Sequence, residues 1–255
     1  MRLFFTVSFL IFFAFSQAQL NQPETWKDFL LQGRVKLIEE NYVAKKKKNR
    51  ETTTLEFSPK GKILKKEEIS ADRKSSTAFS YDSQDRQEKV WFRNFDKNRL
   101  VTESIIKFRY RNDSVFVSID ITDDGKKSNK SFTAILKDDL LVKYFGEKNG
   151  ESRVTEFVYN YHGNVISQTN YKKGEISKKY EFKYNYDESG NLLRQIALNE
   201  NTTIEFFPNG LKKSENEFTY EYFYDSSGNW IQKMVFKNGK KYSKSSRKII
   251  YYDEK

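Results

Sequence analysis

The side chains on which catalytic and metal chemistry is usually built are scarce in this chain. His162 is its only histidine, and it has no cysteine. A Ser-His-Asp or Cys-His arrangement would have to be built on His162. That residue instead follows Tyr161 in a stretch rich in turn formers, Tyr161-His162-Gly163-Asn164, and reads as a turn residue. One His and no Cys argue against structural or catalytic zinc, leaving only carboxylate sites open. No two glycines stand in a Gly-x-Gly spacing and no Gly-Lys-Ser/Thr follows an upstream Gly, so a phosphate-binding loop is not expected. Asp120-Ile121-Thr122-Asp123-Asp124-Gly125 invites comparison with a calcium loop. Its acidic alternation is broken, however, and Ser131 stands where the closing Glu belongs, so it reads as a hairpin turn. No metal, cofactor or catalytic residue is assigned, and the expectation is a protein that is not an enzyme.

Two kinds of residue remain that would support function. Paired carboxylates of a glycosidase need only meet across a sheet, and nothing in the sequence singles out a pair among the Asp and Glu residues. Aromatic rows interleaved with lysine would form a platform for stacking sugars or bases. The candidate binding surface is Tyr184, Tyr186, Tyr222, Tyr224 and Trp230. The competing reading is that these rows form the buried face of a sheet, because the chain has little else from which to make a core.

The elements that position these residues are strands. Tyr180, Phe182, Tyr184 and Tyr186 alternate with Glu181, Lys183 and Asn185, the period of two that places one row on each face of a sheet. Phe218, Tyr220, Tyr222 and Tyr224 repeat the device, and Val115, Val117, Ile119 and Ile121 form a third row. Each run meets a turn signal and leaves as a second strand, which predicts β-hairpins. Residues 184–191 read YNYDESGN and residues 222–229 read YFYDSSGN, agreeing at six of eight positions with a period of 38. Looser copies occur at Tyr161-His162-Gly163-Asn164, Phe207-Pro208-Asn209-Gly210 and Phe57-Ser58-Pro59-Lys60-Gly61. Further turn signals at Asp85, Asn98, Asn112, Gly125, Gly150, Gly174 and Gly239 continue the spacing. The predicted fold is mainly β, an array of antiparallel hairpin repeats in an extended or curled sheet. Glu24 to Leu31, with Trp26, Phe29 and Leu30 on one side, is the only candidate for a short helix.

Residues 184–192 resemble the YD repeat of Rhs-like bacterial proteins, and residues 222–230 resemble it with Trp230 at the last apolar position. The resemblance covers residues 155 to 235. Gly33-Arg34-Val35-Lys36 with the turn from Phe57 to Ile63 resembles the opening of small exported YD-repeat-like proteins. It implies long hairpins laid side by side and a location outside the cytoplasm. It does not imply the toxin delivery of the large Rhs proteins, which carry a separate C-terminal effector.

Export is also read from the N-terminus. Arg2 precedes an apolar run from Leu3 to Phe15 that ends at Ser16-Gln17-Ala18, the pattern of a signal peptide and shorter than a membrane-spanning helix. Cleavage after Ala18 leaves a single domain, 19–255, with no later transmembrane segment. The absence of cysteine removes any disulfide framework, so stability must come from burial of the 22 Phe and 16 Tyr. Net charge is +11, and +10 once Arg2 is gone. Lys and Glu alternate through most strands and only Lys45 to Lys48 is densely basic, so the charge reads mainly as a solvated surface. The functional expectation is an exported, non-catalytic scaffold or binding module of the bacterial envelope whose partner is a protein or glycan. The alternatives are a carbohydrate-active enzyme using paired carboxylates and an electrostatic binder of extracellular DNA or acidic polysaccharide.

Overall fold

The computed structural model describes residues 25–44, 50–148 and 151–253. The signal peptide, the Lys45–Lys48 run and the turn at Gly150 lie outside the described residues. Eighteen strands follow one another. The first six are β1 (Val35–Ala44), β2 (Arg50–Phe57), β3 (Ile63–Ser70), β4 (Arg73–Tyr81), β5 (Gln87–Asp96) and β6 (Arg99–Arg111). The middle six are β7 (Ser114–Asp123), β8 (Lys126–Lys137), β9 (Leu140–Lys148), β10 (Glu151–Tyr159), β11 (Val165–Lys172) and β12 (Glu175–Tyr186). The last six are β13 (Leu192–Ala197), β14 (Thr202–Phe206), β15 (Lys212–Glu215), β16 (Phe218–Tyr224), β17 (Trp230–Lys237) and β18 (Lys240–Tyr251).

Each strand pairs antiparallel with its neighbours in sequence, as the hairpin spacing predicts. The sheet does not stay extended or merely curled. β1 pairs with β2 on one side and with β18 on the other, in continuous register from Leu37↔Ile250 to Ala44↔Ser243, and the meander closes into an 18-stranded barrel. An open twisted sheet of this size would carry two long edges of unpaired N–H and C=O groups, and closure removes both. The expected extended or curled sheet is corrected to a closed barrel, because closure depends on pairs such as Glu40 and Arg247, which no local pattern relates.

Six turns at one rim share one design. They start at Ser58, Asp82, Asn160, Asp187, Phe207 and Asp225. In each, the first residue's N–H bonds the fifth residue's carbonyl and the fourth residue's N–H bonds the first residue's carbonyl, at 2.7–3.1 Å. A register shift beside each turn tightens the bend. The Asp that opens the repeat holds the turn's backbone. Asp82 Oδ1 accepts from the N–H groups of Gln84 and Arg86, and Asp225 Oδ1 from those of Ser227 and Asn229. The fourth residue is left-handed, which Gly supplies in five turns and Asp85 in the sixth with φ 66°. The tyrosines are used just as repetitively. Tyr81, Tyr110, Tyr159 and Tyr184 each donate a phenolic hydrogen bond of 2.5–2.8 Å to a backbone carbonyl of the preceding hairpin, at Ile63, Gln87, Leu141 and Val165.

The segment expected as a short helix is a string of turns instead. Thr25 bridges to Lys62, Leu31 N–H bonds Trp26 O at 2.8 Å, and Leu30 is left-handed with φ 53°. So short a piece nucleates a helix poorly, and its apolar side chains are claimed by separate parts of the rim. Trp26 lies against Gly61 and Leu30 against Gly210, while Phe29 packs edge-on against Phe57. No helix is present among the described residues, and none is long and apolar enough to cross a membrane.

The buried apolar side chains gather in two clusters on the inward side of the barrel. One cluster joins Leu31, Val35, Ile38, Leu55, Phe57 and Ile63 beneath the N-terminal segment. The other lines β5 to β9 with Val90, Phe108, Val115, Val117, Ile119, Ala134 and Leu141, packed against Phe79 of β4 and Phe157 of β10. Each such side chain contributes about 1.5–3 kcal/mol when fully buried. A barrel of this strand number commonly leaves a channel; along β5 to β9 the inward side chains pack on one another in a buried cluster.

Candidate functional site

Where β15 to β18 meet β1 the inward face changes character, from apolar to charged and aromatic. Register places Tyr222 of β16 beside Lys233 of β17, Lys233 beside Ser245 of β18, and Arg247 beside Glu40 of β1. Trp230, at the start of β17 and 6% exposed, forms the floor. The Arg247 guanidinium lies 3.4 Å above its ring and the Lys233 ammonium 5.1 Å from it, both within cation–π range. Tyr222 meets Trp230 edge-on at 6.0 Å.

The charges do not balance. Arg247 Nε donates to Glu40 Oε2 at 2.9 Å, while Lys233 Nζ stands 3.9 Å from Glu40 Oε1. A buried guanidinium and a partly buried ammonium therefore share one carboxylate. Burial pushes the Lys233 ammonium below its ordinary pKa, with the Glu40 charge pulling the other way and Arg247 adding to the depression. Burial likewise lowers Arg247 against the opposing pull of Glu40. Burial raises the Tyr222 phenol, and the neighbouring phenols Tyr220 and Tyr224 add to it. The Arg247 side chain is 9% exposed, yet its Nη1 has no hydrogen-bond partner, and neither does the buried Ser245 Oγ. An unmade hydrogen bond at a buried charged group is costly. The arrangement is suited to receive an anion against an aromatic floor.

The five residues expected to form one binding surface are divided. Tyr222 and Trp230 belong to this cluster. Tyr224 lies at the rim, 44% exposed, with its hydroxyl 3.4 Å from Asn209 Nδ2. Tyr184 and Tyr186 stack on each other at 6.4 Å on β12, four strands away. The Tyr186 hydroxyl accepts from Asn160 and Asn164, both at 2.8 Å, and His162 stacks on the Tyr186 ring at 3.8 Å within its turn. Tyr184 is half-buried, and desolvation followed by the Tyr186 charge pushes its pKa up to about 12. Tyr184, Tyr186 and Tyr222 are half-buried and Tyr224 is exposed, so neither row is a fully buried face. Lys233, Arg247 and Glu40 were not anticipated, although one signal was present: Lys233 occupies the same phase as Val235, and Arg247 the same phase as Ile249.

Carboxylates also gather elsewhere. A cavity of about 810 Å³ is lined by Glu51, Glu68, Arg73 and Asp96. Glu68 is bonded there by Lys66 at 2.9 Å and by Ser75 at 3.1 Å, and Arg73 faces Asp96 across β4 and β5. Among the described residues no group of three or more His, Cys, Asp or Glu is placed to hold a metal ion.

The outward face carries ion pairs together with exposed apolar side chains such as Val43, Ile69, Val158, Phe223 and Ile250. Glu67 pairs with Lys65 and Lys74, Arg93 with Glu103, Lys107 with Asp120, and Lys143 with Glu156, all within strands. A wall facing lipid needs an apolar band about 25 Å tall, and a Lys or Arg at its midplane costs roughly 2–4 kcal/mol.

No family model and no curated protein matches the chain. Among solved structures it is similar to a porin-like protein from Bacteroides uniformis, with TM-score 0.47 and 14% identity over 86% of this chain and 99% of that one. A porin-like protein from Bacteroides vulgatus gives TM-score 0.33 and 12% identity over 86% and 99% of the two chains. The Photorhabdus luminescens Tc holotoxin pore gives TM-score 0.23 and 10% identity over 76% of this chain and 14% of that one. Similarity at this level says nothing of what the chain binds or does.

Proposed function

We propose that this protein is an exported, non-catalytic binding module of the bacterial cell envelope, built from YD-type hairpin repeats, whose barrel wall faces water and whose inward face takes a small anion. The unpartnered Arg247 Nη1, buried beside Lys233 over Trp230, carries the reading. A carboxylate or phosphate oxygen at that point would complete the hydrogen bonding of Arg247 and balance the second cation. The ion pairs on the outer wall, among them Arg93–Glu103 and Lys107–Asp120, support a barrel in water rather than in lipid. Its lysines are largely interleaved with carboxylates, which favours a discrete internal anion over broad adhesion to a polyanion.

The test is calorimetric titration of the mature chain with inorganic phosphate and with succinate, alongside the Lys233→Met variant. Saturable binding of either anion, weakened tenfold or more in the variant, is the expected result. Absence of heat with both anions, or equal affinity in the variant, overturns the proposal.

A further inference from the structure

The outward face carries a second feature that the internal cluster does not use. Cross-strand register aligns Phe116 of β7 with Thr133 of β8, and Thr133 with Phe145 of β9. The two rings stand on the water-facing side, 46% and 37% exposed, as walls on either side of a strand whose outward residues there are Ser131 and Thr133. The resulting groove has a volume of about 710 Å³, with Arg109 and Glu147 also in its lining. The walls are separated by two interstrand spacings, about 10 Å. The wall also exposes single apolar side chains such as Ile69 and Val158, but Phe116 and Phe145 are the two rings that flank a common groove.

Three features of the groove choose among partners. Its floor is hydroxyl-bearing and its lining includes a cation and a carboxylate, which argues against a lipid chain. β7, β8 and β9 are each paired on both sides, so a peptide has no strand edge there to extend by β-augmentation. Two rings spaced at the pitch of an extended β-linked disaccharide beside a row of hydroxyls, one of them with the Lys143 ammonium 5.2 Å over it, suit the alternating apolar faces and hydroxyl edges of a neutral glycan. Such rings give stacking area and the polar groups give orientation. We infer that the Phe116–Phe145 groove is a glycan-binding site for a β-1,4-linked chain, separate from the internal anion cluster.

The probes are the soluble β-1,4-linked hexamers of glucose and of N-acetylglucosamine, titrated into the mature chain at roughly 50 and 500 mM salt, a range that shortens electrostatic screening severalfold. Expected is saturable binding of at least one hexamer with an affinity unchanged by salt. Phe116→Ala and Phe145→Ala, both at exposed positions, should each weaken it about tenfold. Ser131→Phe, which fills the floor and removes neither ring, should abolish it. Lys233→Met should leave it unchanged, so failure here is distinguishable from failure of the anion site. No binding of either hexamer, binding that collapses with salt, or retention of affinity in the two alanine variants overturns the inference.

Discussion

Arg247 and Glu40, 207 residues apart in sequence, are joined by a 2.9 Å hydrogen bond across the seam where the last strand meets the first. The pair combines two roles, holding the barrel shut and placing a buried guanidinium over Trp230. Replacing Glu40 with Gln leaves the buried Arg247 and the partly buried Lys233 with no carboxylate between them. The expected loss is about 3 kcal/mol, the lower end for breaking a buried pair because Glu40 retains some contact with water. Urea unfolding measures it. The triple variant Glu40→Leu, Lys233→Met, Arg247→Met should recover most of the loss, since apolar side chains of similar volume remove all three charges together.

Gly61 and Gly174 have nearly the same φ, 86° and 85°, but different surroundings. A Cβ on Gly61 would lie 2.7 Å from the Trp26 ring, whereas one on Gly174 meets nothing within 4 Å. The ring has little freedom to retreat because Trp26 Nε1 donates to Val35 O at 2.7 Å. Gly174→Ala should cost about 1–2 kcal/mol for left-handed backbone alone. Gly61→Ala should cost that amount and roughly 1–3 kcal/mol more for overpacking. Equal losses in thermal unfolding would show that the Trp26 contact contributes nothing.

Asn229 is the residue that fastens the N-terminal segment to the rim. Its Oδ1 accepts from Gln32 N–H at 2.6 Å, and its Nδ2 donates to Gln32 O at 2.8 Å and to the Tyr251 hydroxyl at 2.7 Å. Asn229→Ala removes all three bonds from a buried position, a cost of about 3 kcal/mol. Because the damage is local, trypsin should cut after Lys27 markedly faster in the variant while β-sheet circular dichroism is unchanged. Cutting at the wild-type rate would mean that Trp26 and Phe29 alone hold the segment.

Alkaline pH should loosen the barrel through its tyrosines. Burial, with a smaller contribution from Tyr186, pushes Tyr184 up to about 12, and burial with the Glu215 charge pushes Tyr220 up to about 12. A phenol whose folded pKa is raised holds its proton more tightly when folded. Its contribution is complete below the unfolded value near 10 and is lost as pH climbs through 12. The urea midpoint should therefore be flat from pH 8 to about 9.5 and fall steeply from 10 to 12. Tyr184→Phe should reduce that slope. An unchanged slope would place the titration elsewhere.

Much of the wall was legible in the sequence because a strand writes itself locally. The alternation at Val115 to Ile121 and at Tyr180 to Tyr186 placed each row on the correct side, and Asp225 with Gly228 announced a turn that is built as expected. What local pattern does not encode is the pairing of Ala44 with Ser243, so the closure of the sheet was missed. The internal cluster was missed for the same reason. Tyr222 and Trp230 are eight residues apart and were grouped, whereas Glu40 reaches them only across the seam. The outer groove was hidden differently: Phe116 and Phe145 each look like an isolated interruption of a polar row, and only register through Thr133 makes them neighbours.

The seam has a kinetic consequence. Seventeen hairpin pairings join consecutive strands and form as soon as both strands exist, but β1 has its second partner only when the last twelve strand residues, Lys240–Tyr251, arrive. Until then Leu37 to Ala44 present an unsatisfied backbone edge to any passing strand, in a chain without disulfides to hold an intermediate. The closing step joins strands from opposite ends of the chain, the pairing of largest sequence separation, and should be slow. Truncation within β18 would then leave most hairpins intact and yet release two sticky edges, so the shortened product should self-associate rather than unfold.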